Sequence, residues 1–300
     1  MKPSSQPTNQ GTAKKISSFF CTSHILRAPD KTTLQLILDW GKKNNVVLKF
    51  SKELSSFSNM PEAAPEDEAI FLRESAEMIL VFGGDGTIIS AVRNYADYNL
   101  PFAGINFGNL GFLTTADPKN MLSVFEHLKN GIYCLENRMM LNVSVKREGE
   151  EVFSCDVLNE VAMQRLLLKK AAKIDVYISG THVSSYEGDG VIFATPTGST
   201  AYALSAGGPI VPPWVNLILI SPLNCHTLAV RSVLTSEDEI ITATLENPYS
   251  ELILVLDGQK GYELKTGDQV EVKKSKKSCR TVITDNGNFF DILRRKMGWG

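Results

Sequence analysis

Apolar positions in the first 130 residues follow two periods that alternate. Strand-length apolar runs cover 16–21, 45–50, 78–82 and 102–106. Between them, 32–43, 88–96 and 118–130 repeat their apolar residues every three or four positions, the last closed by Gly131. The segment 51–69, with Pro61, Pro65 and many acids, predicts an exposed loop. Alternating strand and helix signals predict a mostly parallel sheet, with ligands at the carboxyl ends of its strands.

After about residue 138 the rhythm changes. Short alternating or apolar pieces at 140–146, 152–158, 173–178, 181–186, 191–194, 217–220, 239–244, 252–256, 269–273 and 281–284 follow one another with no long helical stretch between them. That pattern predicts a mainly antiparallel β domain. Helical spacing returns at 288–297, where Phe289, Phe290, Ile292, Leu293 and Met297 share a face that must be buried. The expected fold is α/β: a Rossmann-like domain over 16–138 plus 286–300, and a β-sandwich-like domain over 139–285. The final helix packs back on the first domain, and 1–15 form a flexible polar tail without the apolar core of a secretory signal.

Charge and composition narrow the function. With 31 basic and 33 acidic side chains, net −2, the chain lacks the basic excess of a general nucleic-acid binder. The local basic run 273–280 reads as a solvated strand edge or loop. No apolar stretch approaches the ~20 residues of a membrane span. Five scattered cysteines, none in a CxxC pair, indicate free thiols in a reducing cytoplasm rather than a zinc site or a disulfide framework.

The chemistry concentrates in a few loops. Gly83-Gly84-Asp85-Gly86-Thr87 follows the apolar run 78–82 and precedes a helix. A glycine loop there lets backbone N–H groups meet a phosphate. A carboxylate in the same loop repels an anion unless it binds a metal or takes a proton, so strand-GGDGT-helix suggests a kinase whose Asp85 works on the acceptor hydroxyl. A second glycine-bearing loop, 107–113, ends the run 102–106. Residues 187–209, EGDGVIFATPTGSTAYALSAGGP, are dense in hydroxyl and glycine residues that suit ribose and phosphate. Asn159-Glu160 is another polar pair at a strand end, and Asp257-Gly258-Gln259 has the form of a hairpin turn. There is no GxxxxGK[ST] loop and no GxGxxG in a βαβ setting.

Together GGDGT, GINFGNLGFLT (104–114), LNE (158–160), DGVIFATPTGSTAYALSAGGPI (189–210), SPLNCHTLAVRSV (221–233), DGQ (257–259) and FFDILRRKMGWG (289–300) resemble the NAD kinase family from about Glu77 to Gly300. The resemblance implies phosphoryl transfer from ATP, or in some members polyphosphate, with Mg²⁺ or another divalent metal, to the 2′-hydroxyl of the adenosine ribose of NAD. By matching positions Asp85 is the base and Gly83, Gly84, Gly86 and Thr87 form the phosphate loop, with Gly86 beside the NAD. Asn159 and Glu160 hold ribose or adenine, while Thr200, Ala201, Tyr202, Ala203, Leu204 and Ser205 line the adenine pocket, Tyr202 as its stacking platform. Asp189 meets the nicotinamide end of a second subunit's ligand, and Lys170, Glu187 and Gln259 take further binding positions. A cytoplasmic homo-oligomer, dimer or tetramer, is implied. Phe107 stands where many members have an arginine, so a charge near the phosphates is either missing or supplied from elsewhere. The alternatives are a lipid kinase sharing GGDGT and a catalytically weak NAD-binding regulator.

Overall fold

The computed structural model describes residues 13–108, 111–166, 171–227, 229–245, 252–283 and 289–299. The chain divides into two compact units, 1–137 with 279–300, and 138–278.

In the first unit the elements run β1 (Ser18–Ser23), α1 (Lys31–Asn44), β2 (Val47–Phe50), α2 (Lys52–Ser58), α3 (Glu68–Glu74), β3 (Met78–Phe82), α4 (Asp85–Tyr95), β4 (Phe102–Ile105) and α5 (Met121–Asn130). Strands pair in parallel in the order β2-β1-β3-β4. β3 is buried along its whole length, which is why its sequence is apolar throughout rather than alternating. Helices present periodic stripes to the same core: Leu34, Ile37, Leu38 and Gly41 on α1, and Met121, Val124, Phe125 and Leu128 on α5. Each large side chain so buried contributes about 1.5–3 kcal/mol. The strand order reverses direction between β1 and β3, so the loops after these strands open where such sheets collect ligands.

One expectation fails here. Residues 51–69 are not an exposed loop. Ser51 accepts a hydrogen bond from the Leu54 N–H at 3.3 Å and starts α2, whose Leu54, Ser55 and Ser58 are buried. Asp67 caps α3 through the Ile70 N–H at 2.9 Å. The serine-rich composition hid a helix whose buried face is made of small polar groups. The polar tail expected over 1–15 falls largely outside the described residues, but residues 13–15 are tied down: Ala13 N–H donates to the Gly131 carbonyl, and Lys14 lies 2.8 Å from Glu77.

The second unit is a two-layer β sandwich. Its strands are β5 (Cys134–Arg147, from residue 138 on), β6 (Glu150–Val157), β7 (Glu160–Arg165), β8 (Ala172–Ile178), β9 (Thr181–Gly188), β10 (Gly190–Ala194), β11 (Leu217–Leu223), β12 (Val233–Ser236), β13 (Ile241–Leu245), β14 (Leu252–Leu256), β15 (Lys260–Glu263) and β16 (Gln269–Ile283, as far as residue 278), with the one-turn helix α6 (Tyr202–Ser205) after β10. One layer runs β12-β11-β10-β7-β14-β15, antiparallel throughout. The other is built on antiparallel β16-β13-β8-β9, with β5 joining β16 to β6. Val143, Val161, Ile174, Phe193, Ile220, Leu254 and Val272 meet in the core between the layers. The basic run 273–280 is neither a loop nor a break between two strands but the middle of β16, whose Ser275 and Cys279 stay buried. The final helix α7 (Phe289–Met297) belongs to the first unit and buries Phe289, Ile292 and Leu293.

Candidate functional site

Each unit carries one constellation of the residues singled out above. In the first, β3 ends at Phe82 and α4 begins at Asp85, so Asp85 to Thr87 form the opening helical turn rather than the loop expected over 83–87. Gly83 has φ +146°, and a Cβ there would sit 2.4 Å from Thr87 Oγ1. The turn therefore needs glycine.

Asp85 is pinned by the second glycine loop. Its Oδ2 accepts the Phe112 N–H at 2.9 Å and its Oδ1 the Leu113 N–H at 3.0 Å. Gly111 makes this possible, because a Cβ on it would lie 1.9 Å from Asp85 Oδ1. Lys296 Nζ of α7 stands 3.6 Å from Asp85 Oδ2 and 4.8 Å from the centre of the Phe112 ring. The Asp85 side chain keeps 28% of its surface open, so a carboxylate fixed in place is still reachable from solvent. Phe107 packs its ring edge-on to Phe82 at 6.3 Å, against the core of this unit. That contact is the physical reason an apolar residue suits the position. Beside α4 a cavity of about 490 Å³ is lined by Thr22, Ser23, His24, Thr87, Ser90 and Tyr95.

The second constellation is organised by Asp257. The Asp-Gly-Gln turn does join β14 to β15, with Asp257 at φ +51°. Its side chain does more than turn the chain. The carboxylate accepts the N–H groups of Leu158, Asn159 and Glu160 at 3.1, 2.7 and 3.2 Å, while its own N–H donates to the Glu160 carbonyl. Thr195 Oγ donates to the Leu158 carbonyl at 2.7 Å and accepts the Gly198 N–H at 3.0 Å. Asn159, Glu160 and the TPTGSTAY segment are thereby held as one piece. Ser199, fully buried, exchanges hydrogen bonds with the Val211 backbone and closes the loop from behind.

Glu160 is the electrostatic centre of this group. Burial, and then the charge of Asp257, push its carboxyl up to about 8 against a backbone hydrogen bond from Tyr202 that lowers it. One of its oxygens, Oε2, is buried without a partner among the described residues. A carboxyl in this state keeps its proton near neutrality and has a hydrogen bond to give. Tyr202 is 41% exposed, with its hydroxyl 3.5 Å from Gln164 Oε1, so its ring is available as a platform.

Of the remaining expected residues, Thr200, Ala201, Ala203, Leu204 and Ser205 lie in the same short helical stretch as Tyr202. Asp189 stands at the other end of β10 from Thr195, its carboxylate held by Arg165 at 2.5 Å and Asn224 at 2.8 Å. Glu187 is exposed on β9, and Gln259 sits in the Asp257 turn. Lys170, with Asn109 and Leu110 of the second glycine loop, lies outside the described residues. The residues that sequence reasoning missed are the ones that hold others: Asp257 as a clamp, Thr195 and Ser199 as ties, and Lys296. Among the described residues no helix is long and apolar enough to cross a membrane, which says nothing of a β-barrel. No group of three or more His, Cys, Asp or Glu side chains among them could hold a metal ion.

Comparison with known proteins identifies the family. Residues 14–133 match the family model for the ATP-NAD kinase N-terminal domain, and 158–284 match that for the ATP-NAD kinase C-terminal domain. A curated NAD kinase of Geobacter sulfurreducens is 41% identical over 236 residues, 79% of this chain and 82% of that protein. One from Magnetococcus marinus is 37% identical over 264 residues, 88% and 87% of the two chains. The yeast NADH kinase solved in complex with NADH superposes with a TM-score of 0.82 at 22% identity, covering 96% of this chain and 89% of that one. An Archaeoglobus fulgidus NAD kinase solved with ATP gives 0.70 at 23% identity, covering 94% and 98%. The two solved structures establish the shared fold, and the curated relatives, matched over more than three quarters of their length, establish that the chain belongs to the NAD kinase family.

Proposed function

We propose that Asp85 is the general base of this kinase, taking the proton of the NAD 2′-hydroxyl as the terminal phosphoryl of ATP passes to that oxygen and NADP forms. Family membership gives the overall activity, an ATP-dependent phosphotransferase acting on NAD. The observation that carries the base assignment is the carboxylate of Asp85, fixed by the Phe112 and Leu113 N–H groups yet open to solvent. A ribose hydroxyl is a poor nucleophile at neutral pH, and a placed carboxylate within ~3 Å removes its proton as the bond to phosphorus develops. Two backbone bonds fix the angle of that carboxylate, so little reorganisation is needed at the moment of reaction.

On the second unit, Asn159, Glu160 and the stretch Thr200 to Ser205 hold the adenosine part of NAD. Glu160, protonated near neutrality, donates to a base or ribose acceptor, and Tyr202 stacks. Asp189, Glu187, Lys170 and Gln259 complete the contacts, Asp189 toward a second copy of the chain in a homo-oligomer. A divalent metal such as Mg²⁺ supplies charge neutralisation to the donor phosphates when bound. With a single carboxylate in the Gly83–Thr87 turn and no multi-ligand cluster among the described residues, the chain suits a metal that arrives on those phosphates. Cys21 and Cys225 carry free thiols, in keeping with work in a reducing cytoplasm.

The test is NADP formation from NAD, ATP and Mg²⁺ by the native protein and by Asp85→Asn, with NAD affinity measured by calorimetry. The expected result is a loss of turnover of about 10³-fold, within the range of general-base effects, with NAD affinity changed less than about threefold. Substantial turnover in the variant removes Asp85 from the role.

A further inference from the structure

A carboxylate at a phosphate-binding turn poses an electrostatic problem that the local sequence does not solve. Residues 82–92 and 102–118 contain no lysine or arginine, and Asp85 is the charged side chain at the turn. A polyphosphate brought to such a turn meets repulsion from the base it needs.

The C-terminal helix provides an answer. Phe289, Ile292 and Leu293 form the buried stripe of α7, and Phe289 packs against Phe112 at 5.9 Å. Continued one turn, at the i, i+3, i+4, i+7 spacing, the stripe reaches position 296, where a further apolar residue is expected. Lys296 occupies it instead. Its ammonium lies over the Phe112 ring, 4.8 Å from the ring centre, and within 3.6 Å of Asp85 Oδ2, the oxygen that also accepts the Phe112 N–H. Arg294, the preceding basic residue but one, bonds Asp291 of its own helix. The lysine is thus aimed by the apolar face of α7.

We propose that Lys296 and Asp85 form a functional charge pair, in which the ammonium masks the carboxylate so that the donor's polyphosphate can approach the turn. The inference rests on the reading that the donor phosphates come to the Gly83–Thr87 turn with Asp85 as base. It also gives the pair a second use. As the ribose oxygen bonds to phosphorus and the bond to the ADP oxygen breaks, the hydroxyl proton goes to Asp85 and ADP leaves with the bonding electrons. The pair passes from neutral to a net single positive charge beside the transferring phosphoryl, where a fixed positive charge stabilises the transition state.

A double-mutant cycle on donor binding tests this with a readout independent of turnover. The affinity of AMP-PNP with Mg²⁺ is measured by calorimetry for the native chain, Lys296→Met, Lys296→Arg, Asp85→Asn and Asp85→Asn/Lys296→Met. Methionine is unbranched and of similar length, and it removes the charge. Expected are a roughly tenfold loss in Lys296→Met, restoration by Lys296→Arg, and recovery to near native in the double variant, a coupling of the size found between contacting residues. Native affinity in Lys296→Met, a double variant as weak as Lys296→Met, or a native chain that does not bind the analogue overturns the pair. An undocked helix would also leave the double variant weak, so it counts against the proposal. NADP formation by Asp85→Asn, measured alongside, judges the base assignment separately: full turnover there removes the base while the binding cycle still decides the pair.

Discussion

Asp85 and Asp257 use the same device for different ends. Each is an aspartate whose carboxylate accepts backbone N–H groups from a segment distant in sequence, two for Asp85 and three for Asp257. Asp257 is 7% exposed, and its oxygens are committed to fixing Leu158 to Glu160. Asp85 spends one backbone bond per oxygen, stays open to solvent and has a lysine beside it. A carboxylate oxygen has two acceptor positions. Committing them to buried amides makes a clamp, and holding the group by fewer bonds in reach of solvent makes a reagent. The number of backbone bonds and the exposure separate structure from chemistry here better than residue type does.

The largest effect that sharpens this contrast is Gly111→Ala. Its Cβ would enter the space of Asp85 Oδ1, so either the loop withdraws or the carboxylate turns away. A displacement of about 1 Å costs about 100-fold in rate. Turnover is expected to fall at least that far while NAD affinity, assigned above to Asn159, Glu160 and the stretch Thr200 to Ser205, holds. Unchanged turnover would mean that the position of Asp85 is not what matters.

Asp257→Ala breaks the contrast from the other side. It leaves three buried N–H groups without their acceptor, at about 1–3 kcal/mol each where water cannot replace it. A loss of about 3 kcal/mol or more in urea denaturation is expected, with NAD affinity falling too because Asn159 and Glu160 lose their frame. Asp85→Ala, at a solvent-accessible group, should cost about 1 kcal/mol and nearly all turnover. If the two variants lose similar stability, the division between clamp and reagent is wrong.

What the sequence showed of these two sites follows from distance along the chain. Strand, two glycines and a helix are contiguous, so the setting of Asp85 was legible from local pattern alone, and the 107–113 loop could be seen as a second glycine loop. The bonds between those loops could not. Asp257-Gly258 reads as a turn because it is one; its partners lie about a hundred positions earlier, and nothing local announces them. Lys296 was visible only as one basic residue near others, since its meaning depends on which face of α7 is buried. The continuity of β16 was hidden for a related reason. Its inward face passes from Val270 and Val272 to Ser275 and Cys279, so hydropathy falls although the strand continues.

Glu160 gives the contrast a pH dependence. Its carboxyl is raised to about 8 from 4.5, so between those values the folded chain binds a proton that the unfolded chain has released. Stability is therefore fully present below about pH 4.5 and falls as pH rises toward 8, by at most about 1.4 kcal/mol per unit from this group. Glu160→Gln removes the titration while keeping the shape. The difference in urea midpoint between Glu160→Gln and native should grow in favour of the variant from pH 5.5 to 8.5. A constant difference over that range would show that Glu160 ionises as an ordinary carboxylate, and the donor role assigned to it toward NAD would fall.

The smallest effect concerns the segment whose helix the composition concealed. Ser51 caps α2 through the Leu54 N–H and is fully buried, with Thr22 Oγ1 3.5 Å from its hydroxyl. Removing a serine cap costs about 1 kcal/mol. Ser51→Ala is expected to lower stability by that amount and to leave turnover as it is, because the cap serves the packing of α2 rather than Asp85 or Asp257. Had 51–69 been the exposed loop that its prolines and acids suggest, the substitution would be silent in denaturation, since a solvated serine has no amide to satisfy. A measurable loss therefore distinguishes a helix start from a loop at one position, where both readings use the same residues and differ only in whether the Leu54 N–H has water or a side chain as its partner.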